Sequence, residues 1–228
     1  MQISEIYASK QGEGRLTGEP SIFVRTSGCN LRCDFCDTPY TSWSPEGSRR
    51  TMSEVLAEIS RFRERHVVLT GGEPLLSKEL VALTEKLSAN GYHITIETAG
   101  TIYRPVKCDL MSISPKLSNS TPSLERAGEW SKRHEKNRIN LDVLNRLIRE
   151  YDYQLKFVVA SEPDCLELRE LCDQLETVVS EKILLMPEGV VGDVLDSREK
   201  WITEMCDRYG YSYCPRMHIK WYGNQRGT

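Results

Sequence analysis

Six runs of apolar and β-branched residues, each of strand length, punctuate this chain at Ile22 to Thr26, His66 to Thr70, Tyr92 to Thr98, Asp109 to Ser114, Gln154 to Ala160 and Lys182 to Met186. Continuous apolar runs of this kind mark strands buried on both faces. Helical patterns lie between most of them: Thr51 to Arg63, Ser77 to Asn90, Asn140 to Tyr151, Pro163 to Glu176 and Ser197 to Tyr209. Strand and helix in alternation specify a parallel sheet with helical crossovers, the α/β class. Thr51 with Glu54 predicts a capping box, and Asn90-Gly91 predicts a left-handed helix end. Six strands fall short of the eight of a closed barrel, so the expected architecture is a partial, open (β/α)6 barrel. The third strand runs into Ala99-Gly100-Thr101-Ile102-Tyr103-Arg104-Pro105 rather than a helical pattern, which predicts one abbreviated crossover.

The 228 residues suit one large domain, with a loop insertion expected at 116–137 and an extended tail to Thr228. The insertion reads as a mobile or solvated loop, and its mixed charges argue against a nucleic-acid patch. Hydrophobic residues make up 39% and charged residues 28% of the chain, with a formal charge of −3, the balance of an ordinary globule. No run approaches the roughly twenty apolar residues that span a bilayer. Met1-Gln2-Ile3-Ser4-Glu5-Ile6 lacks the basic start and apolar stretch of a secretory leader, so a reducing cytoplasm is expected in spite of eight cysteines.

Three of those cysteines, Cys29, Cys33 and Cys36, crowd into one loop directly after the first predicted strand, and the next, Cys108, lies far downstream. An iron-sulfur cube has four iron corners, and three thiolates leave one iron free to bind something else. Zinc is the alternative, but a structural zinc site wants four ligands and the nearest histidine, His66, is not at finger spacing. Cys108, Cys165, Cys172, Cys206 and Cys214 are scattered and read as small buried hydrophobes.

The Cys-x3-Cys-x2-Cys spacing resembles that of the radical S-adenosylmethionine (SAM) superfamily, whose fold is such a partial barrel. The resemblance implies a [4Fe-4S] cluster on Cys29, Cys33 and Cys36, with SAM chelating the open iron. In a parallel sheet, ligands collect at the carboxyl ends of strands. The second run ends in Thr70-Gly71-Gly72-Glu73-Pro74, and in this superfamily that turn, with Gly72 and Glu73, binds the SAM amino group. Glu97 and Thr98 end the third run and are candidates for the ribose hydroxyls, with a plain turn as the alternative. Ser114, Pro115 and Lys116 end the fourth, where the lysine can offset the SAM carboxylate or else lie on the surface. Met186, Pro187, Glu188 and Gly189 end the sixth and can frame the adenine, or form another proline-glycine turn.

Gln11-Gly12-Glu13-Gly14, Phe23-Val24-Arg25, Cys36-Asp37-Thr38, Ser114-Pro115-Lys116 and the tail His218 to Asn224, in that order, resemble the 7-carboxy-7-deazaguanine synthase family over nearly the whole chain. That resemblance implies ring contraction of 6-carboxy-5,6,7,8-tetrahydropterin to 7-carboxy-7-deazaguanine with loss of ammonia. It further implies Mg2+ on Thr38, a flavodoxin or ferredoxin-type reductant, and a homodimer. Thr70, the backbone from Lys10 to Gly12 with the Gln11 side chain, and Glu13 would meet the pterin. Arg25 suits a bidentate grip on the substrate carboxylate. The alternatives are a structural Glu13–Arg25 ion pair and a turn-shaping role for Thr38 and Asp37, and His218 reads as structural in a terminal strand. His134 is given no role. The competing activities are another radical SAM enzyme, such as a glycyl-radical activase, and a non-enzymatic electron carrier.

Overall fold

The computed structural model describes residues 1–228 and contains one nine-stranded sheet. Its strands are β1 (Gln2–Lys10), β2 (Pro20–Thr26), β3 (Ser48–Arg49), β4 (His66–Gly71), β5 (His93–Thr98), β6 (Leu110–Ile113), β7 (Tyr153–Val159), β8 (Ile183–Pro187) and β9 (Ser212–Tyr213). They lie in the order β3-β1-β2-β4-β5-β6-β7-β8-β9. All pairs from β2 to β9 are parallel, while β1 runs antiparallel to both β2 and β3. The sheet does not close on itself, and the six predicted strands form its unbroken centre.

Helices α1 (Pro39–Ser42), α2 (Met52–Ile59), α3 (Leu80–Ala89), α4 (Leu124–Ala127), α5 (Glu129–Asn137), α6 (Leu141–Glu150), α7 (Glu162–Asp173), α8 (Gly192–Tyr209) and α9 (Met217–Tyr222) complete the chain. Thr51 and Glu54 form the expected capping box on α2. Gly91 takes the left-handed conformation beyond α3 at φ 74°. No helix separates β5 from β6, so that crossover is abbreviated as expected. One cluster of 34 buried residues fills the space between sheet and helices, with Ile22, Leu69, Ile96, Met111 and Phe157 fully buried.

Three expectations require correction. The 116–137 segment is not an irregular loop: it holds a 3-10 turn at Ser118–Ser120 followed by α4 and α5. Those helices are almost wholly polar, with Ser131 and His134 the buried residues of α5, so they carry no apolar period to read. His218 lies in α9, not in a strand; the turn is anchored by Met217 N–H donating to the Gly12 carbonyl at 2.9 Å and by buried Ile219. Finally, the N-terminal residues form the long strand β1, whose half-exposed, mixed sequence lacks the continuous apolar run of a central strand.

Candidate functional site

The carboxyl ends of the parallel strands open into a cavity of about 480 Å3, within the range of small-molecule sites. Cys29, Cys33 and Cys36 line one wall, on a loop that leaves β2 and returns through α1. Close packing of backbones fixes that loop. Gly72, in the turn after β4, sits so near it that a Cβ would meet the Gly28 carbonyl oxygen at 2.3 Å. Glu73 N–H donates to the same carbonyl at 3.0 Å, and Leu31 N–H donates to Cys29 Sγ at 3.4 Å. All three thiols are free. Burial pushes the Cys29 thiol up to about 12 and Cys33 to about 11, the latter against the pull of Lys116.

The 116–137 segment braces this loop. Arg32 N–H donates to His134 Nδ1 at 3.1 Å, Asp34 N–H donates to the Ser120 carbonyl at 2.9 Å, and Arg126 Nη1 donates to the Asp34 carbonyl at 2.7 Å. Trp43 Nε1 donates to the Cys33 carbonyl at 3.0 Å beneath the Arg126 guanidinium. His134 is fully buried and thus has a structural role that its charged surroundings in the sequence concealed.

Residues Gln11 to Arg15 leave β1 and bond to β5 and β7. Gln11 Nε2 donates to Glu97 Oε1 at 3.1 Å, while Arg15 N–H donates to Gln154 Oε1 on β7 at 2.9 Å. Glu13 is drawn between two cations. Lys156 Nζ contacts its Oε2, Arg216 Nε donates to its Oε1 at 3.2 Å, and His218 Nδ1 stands 3.8 Å from that oxygen. Burial by itself would raise the Glu13 pKa, but Lys156 and Arg216 more than offset it and hold the carboxylate ionised well below its usual range. Arg25, on β2, pairs instead with Glu5 at 2.7 Å and Tyr7 Oη at 2.8 Å, so the Glu13–Arg25 pair allowed by the sequence does not form. Thr70 is the direct neighbour of Arg25 across the sheet and also faces the cavity.

Thr38 occupies the N-cap of α1, yet its side chain makes no capping hydrogen bond and lines the cavity beside Cys36. The Thr38 hydroxyl accepts from Thr41 Oγ1 at 3.4 Å, and the Thr38 carbonyl accepts from the same Thr41 hydroxyl at 2.9 Å. Asp37 is engaged by Arg216 Nη2.

Among the strand-end residues, Gly72, Glu97, Thr98, Ser114, Lys116, Met186, Glu188 and Gly189 line the same cavity. Lys116 Nζ donates to Ser114 Oγ at 2.8 Å. Glu73, Pro115 and Pro187 do not line it. The Glu73 carboxylate is buried and accepts from Thr98 Oγ1 at 2.9 Å, Ala99 N–H at 2.9 Å and Leu75 N–H at 3.1 Å, so it ties two strand ends together rather than offering itself to a ligand. Glu188 is paired with Arg198 at 2.5 Å.

The structure also brings in residues to which the sequence reading gave no site role: Lys156, Arg216 and the tail from Gln225 to Thr228. Lys156 had a signal, a lone charge at an inward position of the apolar run Leu155-Lys156-Phe157-Val158. Pro215-Arg216-Met217 had none.

A family model described as the radical SAM superfamily matches residues 23–149. The 7-carboxy-7-deazaguanine synthase of Rhodopirellula baltica is 47% identical over 99% of this chain and 88% of its own length. That of Halobacterium salinarum is 45% identical over 96% and 89%. Among solved structures, QueE from Escherichia coli superposes with a TM-score of 0.71 at 29% identity, covering 95% of this chain and 94% of that one. Three thiols and a buried carboxylate lining one cavity agree with the likeness to these relatives over nearly the whole chain: the chain belongs to the 7-carboxy-7-deazaguanine synthase family of the radical SAM superfamily.

Proposed function

We propose that this enzyme contracts the ring of 6-carboxy-5,6,7,8-tetrahydropterin in the cavity between the cysteine loop and Glu13, with Mg2+ bound at Thr38. The observation that carries this reading is that the ionised, cation-held Glu13 lines one cavity together with the three cysteines and Arg25. A [4Fe-4S] cluster would be held by Cys29, Cys33 and Cys36 and would supply the electron for reductive cleavage of SAM, the source of the radical chemistry.

The chain's own residues bind and orient. Glu13 accepts from the amino-pyrimidinone edge, and backbone groups of Lys10 to Gly12 with the Gln11 side chain satisfy its neighbours. Gly12 has no room for a side chain, since a Cβ would meet His218 at 2.6 Å. Arg25 and Thr70 take the carboxylate end, with Arg25 shifting from Glu5 to the substrate. The Thr38 hydroxyl, unused by the helix cap, is an oxygen donor of the kind magnesium takes singly from protein, the rest of its shell coming from substrate and water. Gly72, Glu97, Thr98, Ser114, Lys116, Met186, Glu188 and Gly189 are assigned to SAM. Glu73 and Thr98 contribute by bracing the turn, and Pro115 and Pro187 by shaping the strand ends. Held within one domain, this machinery is read as that of a cytoplasmic homodimer reduced by a flavodoxin or ferredoxin-type protein. The eight unpaired thiols agree with a reducing compartment, and no helix is long and apolar enough to cross a membrane.

Anaerobic reconstitution with iron and sulfide, then incubation with SAM, reductant, Mg2+ and 6-carboxytetrahydropterin, tests the reading by mass spectrometry. Formation of 7-carboxy-7-deazaguanine is expected. Cluster-loaded protein that cleaves SAM but forms none of it would overturn the substrate assignment.

A further inference from the structure

Arg216 joins three segments that lie far apart in sequence. Its guanidinium is 5% exposed and uses a different nitrogen for each: Nε donates to Glu13 Oε1 at 3.2 Å, Nη1 to the Gly189 carbonyl at 2.6 Å, and Nη2 to Asp37 Oδ2. On the assignments proposed above, each contact belongs to a different subsite. Glu13 faces the pterin, Gly189 turns beside the adenine, and Asp37 sits between the last cluster cysteine and the metal-binding threonine. A planar fork of five N–H donors can serve three directions at once, whereas a lysine ammonium acts as a point charge.

The three contacts are not equivalent. Glu13 keeps a second cation, Lys156, on its other oxygen, but Arg216 forms the only salt bridge of Asp37. Arg216 engages Asp37 through Oδ2, one residue before Thr38.

We infer that Arg216 is a positioning residue that holds the pterin, metal and SAM subsites in one register, so that SAM is cleaved productively only when Glu13 is seated. The inference rests on the proposed assignments of those subsites. Displacing reacting atoms by about an ångström costs on the order of a hundredfold in rate, so a loosened register would show first as wasted SAM cleavage.

The test compares wild type with Arg216→Lys, Arg216→Gln and Asp37→Asn after anaerobic reconstitution. Four quantities are read: iron per chain, SAM affinity by equilibrium dialysis, KM for the pterin, and 5'-deoxyadenosine formed per product. Arg216→Lys keeps the charge and is expected to retain its iron, weaken SAM binding, and raise 5'-deoxyadenosine per product roughly tenfold. Asp37→Asn should shift the same ratio and alter the Mg2+ activation curve. Wild-type values for SAM affinity, KM and that ratio in both conservative variants would overturn the inference. So would losses that follow iron content alone with the ratio unchanged. Should Arg216→Gln fail to fold, the two conservative variants decide. If wild type itself makes no product, the substrate assignment has failed, and the dialysis arm still decides whether Arg216 supports the SAM subsite.

Discussion

Lys156 and Thr38 show two ways in which one residue can matter. Lys156 is 5% exposed in the middle of β7, and its ammonium rests on Glu13 with Glu97 at 4.0 Å. Burial would lower its pKa, but Glu13 and Glu97 outweigh that and hold it charged above its ordinary value. Removing one partner of such a buried pair leaves an uncompensated charge, so Lys156→Met should destabilise the fold by about 3 kcal/mol, measured by denaturant unfolding, and weaken pterin binding. Thr38 carries a lighter structural burden, since its side chain caps no backbone N–H and accepts one 3.4 Å hydrogen bond from Thr41 Oγ1. Thr38→Ala should therefore keep its unfolding midpoint while losing activity and its dependence on added Mg2+. A variant with full activity and an unchanged Mg2+ titration would remove the metal from Thr38.

At the scale of elements, the link between α5 and the cysteine loop depends on the neutral form of one imidazole. Arg32 N–H donates to His134 Nδ1, and Ser120 Oγ, which donates to the Leu117 carbonyl at 2.6 Å, accepts from Nε2 at 3.0 Å. Burial accordingly lowers the His134 pKa to about 4. His134→Ala orphans a backbone N–H inside the loop, a cost of about 1–3 kcal/mol that falls on that loop rather than on the barrel. The expected result is lower iron per chain after gel filtration with far-ultraviolet circular dichroism unchanged. Equal iron retention would show that the salt bridge of Arg126 and the Trp43 indole suffice. The helices that carry His134 were illegible in the sequence because an almost wholly polar helix has no periodic apolar face, whereas α2 and α3 announced themselves through Thr51, Glu54 and Gly91.

Across the whole molecule, chemistry and stability sit at opposite ends of the strands. At the amino-terminal ends, buried His66 donates through Nδ1 to Ser21 Oγ at 2.8 Å and accepts from Thr95 Oγ1 at 2.7 Å, edge-on to His93. Burial, with His93 nearby, lowers its pKa to about 4. The folded value lies below the unfolded one of about 6.5, so between these values the unfolded chain binds the extra proton. The stability contribution of neutral His66 is therefore fully present above about pH 6.5 and is lost as pH falls toward about 4. Thermal melts from pH 7 to pH 4.5 should show a fall in Tm for wild type that is reduced in His66→Gln. Parallel curves would place the acid sensitivity elsewhere.

The sequence by itself determined the six central strands, the open parallel sheet and the cysteine loop at its carboxyl edge. Each of these is written in local signals: apolar runs of strand length, cap residues and close ligand spacing. Tertiary structure alone decided who meets Glu13. The sequence left Arg25 as its possible partner, but Arg25 on β2 points to Glu5 and Tyr7, while Lys156 and Arg216 arrive from positions more than a hundred residues away. The same holds for Glu73, which sits in a turn of ligand-binding pattern yet spends its carboxylate on Thr98 and Ala99. A buried charge takes whichever partner the fold delivers within reach, and that delivery depends on how the strands are ordered in space rather than on any spacing along the chain.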